Sequence, residues 1–134
     1  MQSDESAIDE IAAQFFSAFT NRDGAVPGID RLYDLLAQDA RIIQKAGVDQ
    51  RIYDVAGFIE PRRAMLTNGS LQDFCEVEVM AKTDIFGNIA HRFSRYHKSW
   101  EASGERYEGE GAKSLQFVRT PEGWKIASLI WDDK

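Results

Sequence analysis

In the N-terminal half of the chain, hydrophobic residues recur at the spacing of one helix face. The first such stripe begins after Ser6, and Ser3, Asp4 or Ser6 can cap a helix there by accepting a backbone hydrogen bond. Its apolar members are Ile8, Ile11, Ala12, Phe15, Phe16 and Phe19. The pattern predicts an amphipathic helix with a deeply buried face, ended by a polar turn at 21–24.

Two further helices are predicted downstream. One begins at Pro27-Gly28, ends near Asp39 and carries Tyr33 on its apolar stripe. The other is capped by Asp54. Its inner stripe consists of Val55, Phe58, Ile59, Arg62 and Leu66. Because Pro61 removes a backbone hydrogen bond and crowds the preceding turn, we expect a kink or a break, with a new helix beginning near residue 60.

The remaining segments alternate with a period of two, which is typical of strands. Residues 40–45 and 50–53 flank a turn and predict a hairpin. Four longer strands are predicted at 73–82, 89–100, 113–119 and 124–131. The order is helix, helix, hairpin, helix and four antiparallel strands, which predicts an α+β domain with a curved sheet wrapped around N-terminal helices and a pocket at its open end.

Composition and charge narrow the class of protein. The chain has 134 residues, of which 43% are hydrophobic and 28% charged, so we expect one globular domain over residues 1–134. A net charge of −6 lacks the basic field that phosphate backbones require, so nucleic acid is not an expected partner. The acidic N-terminus, the lack of a run of about 18 apolar residues and the single Cys75 predict a cytoplasmic protein without membrane association.

Four segments carry a resemblance to a known family: GEGAKSLQF at 109–117, EGWKIASLIWD at 122–132, FIEPR at 58–62 and Ser94-Arg95-Tyr96. They resemble the corresponding segments of bacterial SnoaL-like proteins, a branch of the nuclear transport factor 2-like superfamily. The order of elements resembles the same superfamily, which includes ketosteroid isomerase, scytalone dehydratase and polyketide cyclases. The resemblance implies a cone-shaped, cystatin-like α+β fold. It implies no particular chemistry, because this scaffold hosts isomerases, dehydratases, cyclases and binding modules.

The strand pattern also predicts which side chains line the pocket. With Cys75, Val77 and Val79 facing the helices and a symmetric turn at 84–88, the inner face of the next strand carries His91, Phe93, Arg95 and His97. A three-residue loop at 103–105 would add Lys113, Leu115 and Phe117 to that face, and a two-residue loop would add Ser114 and Gln116 instead. The expected pocket-lining residues are Tyr33, Phe58, His91, Phe93, Arg95 and Lys113.

Two of these residues are the best catalytic candidates. Because the imidazole group can gain or lose a proton near neutral pH in general, His91 can serve as a general acid or base, although a hydrogen-bonded wall residue is the commoner role. Arg95 can bind a carboxylate or an enolate, or it can pair with Asp34 or Glu60. The superfamily's catalytic residues do not map onto matching motifs here, and we predict no cofactor.

The sequence predicts no metal site. His91 and His97 lie six residues apart on one strand, about 20 Å at about 3.4 Å per residue, which is too far to share one ion. Cys75 is expected to be a small buried hydrophobe. Glu76 and Glu78 are expected to point outward, onto a solvated or dimer-facing surface.

The outer face of the sheet is predicted to be unusually apolar. Arg92, Ser94, Tyr96 and Trp100, with Ser114, Gln116, Ile126 and Ile130 as neighbours, are weakly charged for an exposed face. Such a patch usually marks association, so we expect a homodimer formed through the sheet.

Two functions remain open from the sequence. One is a dimeric module that binds a small apolar or anionic ligand. The other is a cofactor-independent isomerase, dehydratase or cyclase that acts by acid–base chemistry on a small apolar substrate of the polyketide or steroid kind.

Overall fold

The computed structural model describes residues 2–134 and contains three α-helices, one 3-10 helix and six strands. The helices are α1 (Asp4–Ser17), α2 (Arg31–Leu35) and α3 (Val55–Thr67), and the 3-10 turn is Arg22–Gly24. The strands are β1 (Leu36–Ala46), β2 (Asp49–Tyr53), β3 (Gln72–Phe86), β4 (Ile89–Ala102), β5 (Glu105–Thr120) and β6 (Gly123–Asp133). This is the predicted order of elements.

The six strands form one curved, unclosed sheet in the order β2-β1-β6-β5-β4-β3. All neighbouring strands are antiparallel except β1 and β6, which run parallel. The helices cover one face of the sheet, which we call the inner face. The buried cluster between them includes Ile8, Phe15, Leu32, Ile42, Phe58, Ile59, Leu115, Phe117, Ile126 and Leu129.

The two long helices begin where the sequence predicts. The Ser3 side chain accepts a hydrogen bond from the Ser6 backbone nitrogen, and the Asp54 side chain accepts one from that of Gly57 at 2.7 Å. The expected break at Pro61 is wrong, because α3 is one helix from Val55 to Thr67. Its buried side chains Phe58, Ile59 and Leu66 lie on both sides of the proline, so both halves of the helix are anchored in the core.

The β3–β4 hairpin turns on two residues, Gly87-Asn88, and not on the five predicted at 84–88. Gly87 has a φ of +56°, which glycine adopts without strain. Ala81 therefore pairs with Ser94 and not with His91, as the symmetric loop predicted. Because this slip is an odd number of residues, it moves the side chains of β4 to the opposite face from the one predicted.

A bulge in β3 determines which side chains of the first half of this strand point toward the helices. The register shifts between Glu78, which pairs with Tyr96, and Met80, which pairs with Arg95. The expectation that Val77 faces the helices is wrong, since Val77 is 52% exposed whereas Glu76 is 8% exposed. The same correction applies to Cys75 and Val79, which were expected inside, and to Glu78, which was expected outside.

The β4–β5 hairpin also has a two-residue turn, Ser103-Gly104, in which both residues have positive φ. Ser114 and Gln116 accordingly lie beside Phe93 and His91, as the shorter of the two predicted loops requires. All four belong to the outer face, since the inner face carries Lys113, Leu115 and Phe117, each at most 6% exposed.

The predicted membership of the outer face is corrected by the same registers. Arg92, Ser94, Tyr96 and Ile126 were expected there, and all four are buried inside. Arg92 donates hydrogen bonds to Glu78 at 2.6 Å and to Asp9 of α1 at 2.6 Å, so its charge is compensated and it ties α1 to the sheet.

Candidate functional site

A cavity of about 170 Å³ lies between α3 and the inner face of the sheet. Its walls come from α3, from Phe19 just beyond the end of α1, from Leu71 after α3 and from five strands, so the curvature of the sheet leaves this space open. It is lined by Phe19, Gln44, Phe58, Arg62, Met65, Leu66, Leu71, Phe74, Glu76, Lys98, Lys113, Trp131 and Asp133. The wall is thus largely apolar and aromatic, and five charged side chains interrupt it.

Arg62 occupies the apolar stripe of α3 and lies among aromatic rings. Its guanidinium carbon is 4.3 Å from the centre of the Phe58 ring and 5.3 Å from the centres of the Tyr53 and Trp131 rings. Its Nη1 donates a hydrogen bond to the Phe58 carbonyl oxygen at 3.0 Å, one turn earlier on the helix. These contacts fix the guanidinium at the cavity wall.

The charge of Arg62 is not balanced by a carboxylate of its own. Among residues 2–134 no Asp or Glu oxygen lies within 4 Å of its guanidinium. Burial lowers the pKa of Arg62, and interaction with the Tyr53 hydroxyl partly offsets that effect. Guanidinium stays protonated in proteins, so the site keeps a desolvated positive charge at neutral pH.

Lys113 and Glu76 form a buried ion pair across strands β5 and β3. The Lys113 Nζ is 2.9 Å from Glu76 Oε1, and the two side chains are 7% and 8% exposed. The ammonium also lies 4.1 Å from the centre of the Tyr96 ring. The approach to Oε1 is close but outside hydrogen-bond geometry, so this buried oxygen has no hydrogen-bond donor among the described residues.

Tyr96, Asp133 and Lys98 form a second polar group at the cavity. The Tyr96 hydroxyl donates to Asp133 Oδ1, and Lys98 Nζ is 2.9 Å from Asp133 Oδ2. Burial and the neighbouring carboxylate raise the pKa of Tyr96, so it stays a protonated donor. Burial alone would raise the pKa of Asp133, but the hydrogen bond from Tyr96 and the pairing with Lys98 outweigh it and lower that pKa.

Two of the six predicted pocket residues, Phe58 and Lys113, line this cavity. His91, Phe93 and Arg95 lie on the outer face, because the slipped hairpin register turns them away from the helices. Tyr33 lies near the surface, where it is 42% exposed and donates to Glu60 at 2.5 Å.

The histidines are surface residues in this arrangement. His91 is 63% exposed and lies 3.1 Å from Asp84, its partner across the β3–β4 hairpin. His97 is 48% exposed and lies 3.5 Å from Glu108. The structure therefore brings neither imidazole to the cavity beneath α3, and His91 instead lines a separate pocket with Asp84, Phe86 and Gln116.

The sequence contains one signal for the residues that were missed. Arg62 falls on the buried stripe of the third predicted helix, where a cation is out of place unless it is functional or paired. A buried guanidinium needs an anion, and the strand pattern suggested Arg95 as that guanidinium. In the structure Arg95 lies on the outer face, and the buried guanidinium is that of Arg62. Glu76 and Tyr96 carry no such signal, because their placement depends on the bulge and on the turn length.

Solved structures resemble this chain over nearly its whole length. A nuclear transport factor 2-like superfamily protein from Salmonella enterica is 13% identical with a TM-score of 0.78, covering 96% of this chain and 89% of its own. The chain has the nuclear transport factor 2-like fold. A protein from Novosphingobium aromaticivorans described as having a cystatin-like fold is 18% identical, with a TM-score of 0.72 and coverage of 96% and 80%. One from Cytophaga hutchinsonii is 13% identical, with a TM-score of 0.74 and coverage of 99% and 100%.

The nuclear transport factor 2-like fold confirms the predicted α+β cone, whereas the narrower resemblance to SnoaL-like proteins stays a prediction. No protein-family model and no curated protein matches the sequence. Within residues 2–134, none of the helices combines the length and the apolar character needed to cross a bilayer. Similarity at this level of identity identifies the scaffold, so function has to be argued from the cavity itself.

Proposed function

We propose that the cavity between α3 and the sheet is a binding site for a small organic molecule. One observation carries the proposal: an open space of about 170 Å³ in the body of the fold is lined by five charged side chains set among aromatic ones. Burying charges costs free energy unless they are paired, and Arg62 has no carboxylate within 4 Å among residues 2–134, unlike the paired Arg92 of the core. Apolar walls with a few convergent polar groups are typical of ligand sites.

Blocking the cavity should abolish binding without unfolding the protein. Met65 lines the cavity but is 39% exposed, so Met65→Trp can place an indole in the opening with little strain on the core. We expect compounds with a single ring, screened by ligand-observed NMR, to bind the wild-type chain and not this variant. Met80→Trp is the matched control, since Met80 is 67% exposed on the outer face. Equal binding to both variants would contradict the proposal.

A second candidate is acid–base catalysis without a cofactor, and the Glu76 carboxylate favours it. A buried carboxylate oxygen that accepts no hydrogen bond can receive a proton from a bound ligand. In this reaction the carbon α to a ketone carbonyl loses a proton to Glu76, an enolate forms, and the same carboxylate returns a proton to carbon. The neighbouring Lys113 ammonium stabilises the negative charge that develops on the enolate.

Deuterium uptake tests this second candidate. In D₂O, the wild-type chain should accelerate exchange of the α hydrogens of cyclohexanone, measured by proton NMR. Glu76→Gln keeps the shape of the side chain but cannot take up a proton, so exchange should fall to the buffer rate while thermal unfolding shows that the variant is folded. Glu108→Gln is the control, because Glu108 is 69% exposed. Exchange that survives in Glu76→Gln would exclude this role.

We also propose that the chain forms a homodimer through the outer face of the sheet. Strand registers place Phe93, Ile130, Ile43 and Ile52 in one row that crosses the sheet from β4 to β2. Phe93, Ile130 and Ile52 are 53%, 43% and 52% exposed. A second copy of the chain presents the same row, and such self-complementarity is what a two-fold interface requires.

A charge at the β4 end of that row should separate the dimer. We expect Phe93→Glu to sediment as a monomer under conditions in which the wild-type chain sediments as a dimer, because the interface would bury an unpaired carboxylate. Phe86→Glu provides the control, since Phe86 is 83% exposed at the tip of the β3–β4 hairpin. A wild-type chain that is monomeric at high concentration would rule out the proposed interface.

A further inference from the structure

We propose that the ligand of the cavity is a planar carboxylic acid with a single ring, whose carboxylate binds the Arg62 guanidinium. The inference rests on the proposed binding function and narrows it to one chemical class. It depends on the charge left over in the cavity, on the free edges of the guanidinium and on the size of the space.

The charges of the cavity leave one cation over. Its lining contains three positively charged residues, Arg62, Lys98 and Lys113, and two negatively charged residues, Glu76 and Asp133. Lys98 pairs with Asp133 and Lys113 pairs with Glu76, each at 2.9 Å. Arg62 is the remaining charge, and an anionic ligand would neutralise it.

The guanidinium is held so that its edge remains available. Phe58, Tyr53 and Trp131 lie around it with their ring centres between 4.3 and 5.3 Å from its central carbon. It donates a hydrogen bond to the Phe58 carbonyl oxygen and interacts with the Tyr53 hydroxyl, and a guanidinium has five N–H donors, so donors remain for a ligand. A carboxylate can therefore accept two parallel hydrogen bonds from it, and a flat ring attached to that carboxylate can pack against the aromatic wall.

The volume limits the rest of the ligand to about one ring. The cavity measures about 170 Å³, and an apolar cavity of about 150 Å³ in another protein holds one benzene molecule. Sites for drug-sized molecules begin at about 300 Å³. A steroid or a polycyclic polyketide would not fit within this volume, so the proposal favours a smaller ligand than the polyketide or steroid kind predicted from the sequence.

Benzoate and benzamide are the probes that test the inference, because they share a shape and differ in charge. We expect benzoate to shift the Trp131 indole N–H signal in ¹H–¹⁵N NMR titrations, and benzamide to bind at least about tenfold more weakly. Arg62→Met should weaken benzoate binding by a similar factor. Arg63→Met is the matched control, since it removes the same charge from the next residue of α3, where Arg63 pairs with Glu60 and Asp30 at the surface.

The outcomes separate this inference from the proposed function. Equal affinity for benzoate and benzamide, or unchanged benzoate binding in a folded Arg62→Met variant, would overturn the role of Arg62. If only neutral or larger compounds bind, and Met65→Trp prevents their binding, the cavity is a ligand site but not one for monocyclic acids. If none of these compounds binds at the cavity, both proposals fail. Arg62→Lys, which keeps the charge but loses the bidentate geometry, should fall between wild type and Arg62→Met.

Discussion

Replacing Lys113 with methionine is expected to lower the free energy of unfolding by about 3–5 kcal/mol, the usual cost of removing one partner from a buried ion pair. The Glu76 carboxylate would remain 8% exposed with no cation beside it. The contact between the ammonium and the Tyr96 ring, 4.1 Å from its centre, would also be lost. Urea unfolding followed by circular dichroism measures the change.

The double variant Lys113→Met/Glu76→Leu should recover most of that loss. With both charges gone, the two apolar side chains can pack against each other and no unpaired charge is buried. Lys82→Met serves as the control, because Lys82 lies beside Phe93 on the exposed part of β3. Losses that simply add in the double variant would show that the two side chains do not depend on each other.

Gly111→Ala is expected to cost about 1–3 kcal/mol or more, because the added methyl group has no space. A Cβ at this position would lie 2.5 Å from the Tyr96 hydroxyl and 2.6 Å from the Asp132 carbonyl oxygen. The tyrosine ring and the backbone of β6 would both have to move, which would disturb the hydrogen bond between Tyr96 and Asp133. Urea unfolding gives the loss in stability.

Gly109→Ala is the matched control two residues earlier on the same strand. Its nearest contact from a new Cβ is the Lys98 Cε at 3.4 Å, the end of a flexible side chain that can move aside. We expect its stability to stay within about 1 kcal/mol of wild type. If the two alanine variants are equally unstable, loss of glycine in the strand is the cause and the close approach of Tyr96 is not.

The sequence predicts the fold well because hydrophobic periods and turn residues are local signals. The stripe of Phe58 and Arg62 on α3, the Asp54 cap and the alternation along the last four strands each follow from a few neighbouring residues. Cooperative packing decides the rest. Pro61 interrupts a pattern but not the helix, since side chains on both sides of it are anchored in the core.

The candidate site was predicted less well because it depends on register. The length of the turn at 84–88, two residues or five, decides whether His91 or Arg92 faces the helices. The difference in free energy between these two strand registers comes from contacts between residues distant in sequence. The Gly87-Asn88 pair is a recognised signal for a two-residue hairpin and would have favoured the observed register. The bulge between Glu78 and Met80 has no comparable signal, so the burial of Glu76 could not be foreseen.

The parallel pairing of β1 with β6 has a consequence for how the protein is made. Leu36 pairs with Ile126 and Gln44 with Trp131, so strands from early and late parts of the chain are neighbours within the sheet. During synthesis, the β1–β2 hairpin can pair with β6 only after β6 has been made. Contacts between segments so distant in sequence slow folding. Trp131 on β6 is also a wall of the cavity. A ribosome-bound chain that stops short of β6 would hold most of the helices and strands but would lack one wall of the cavity.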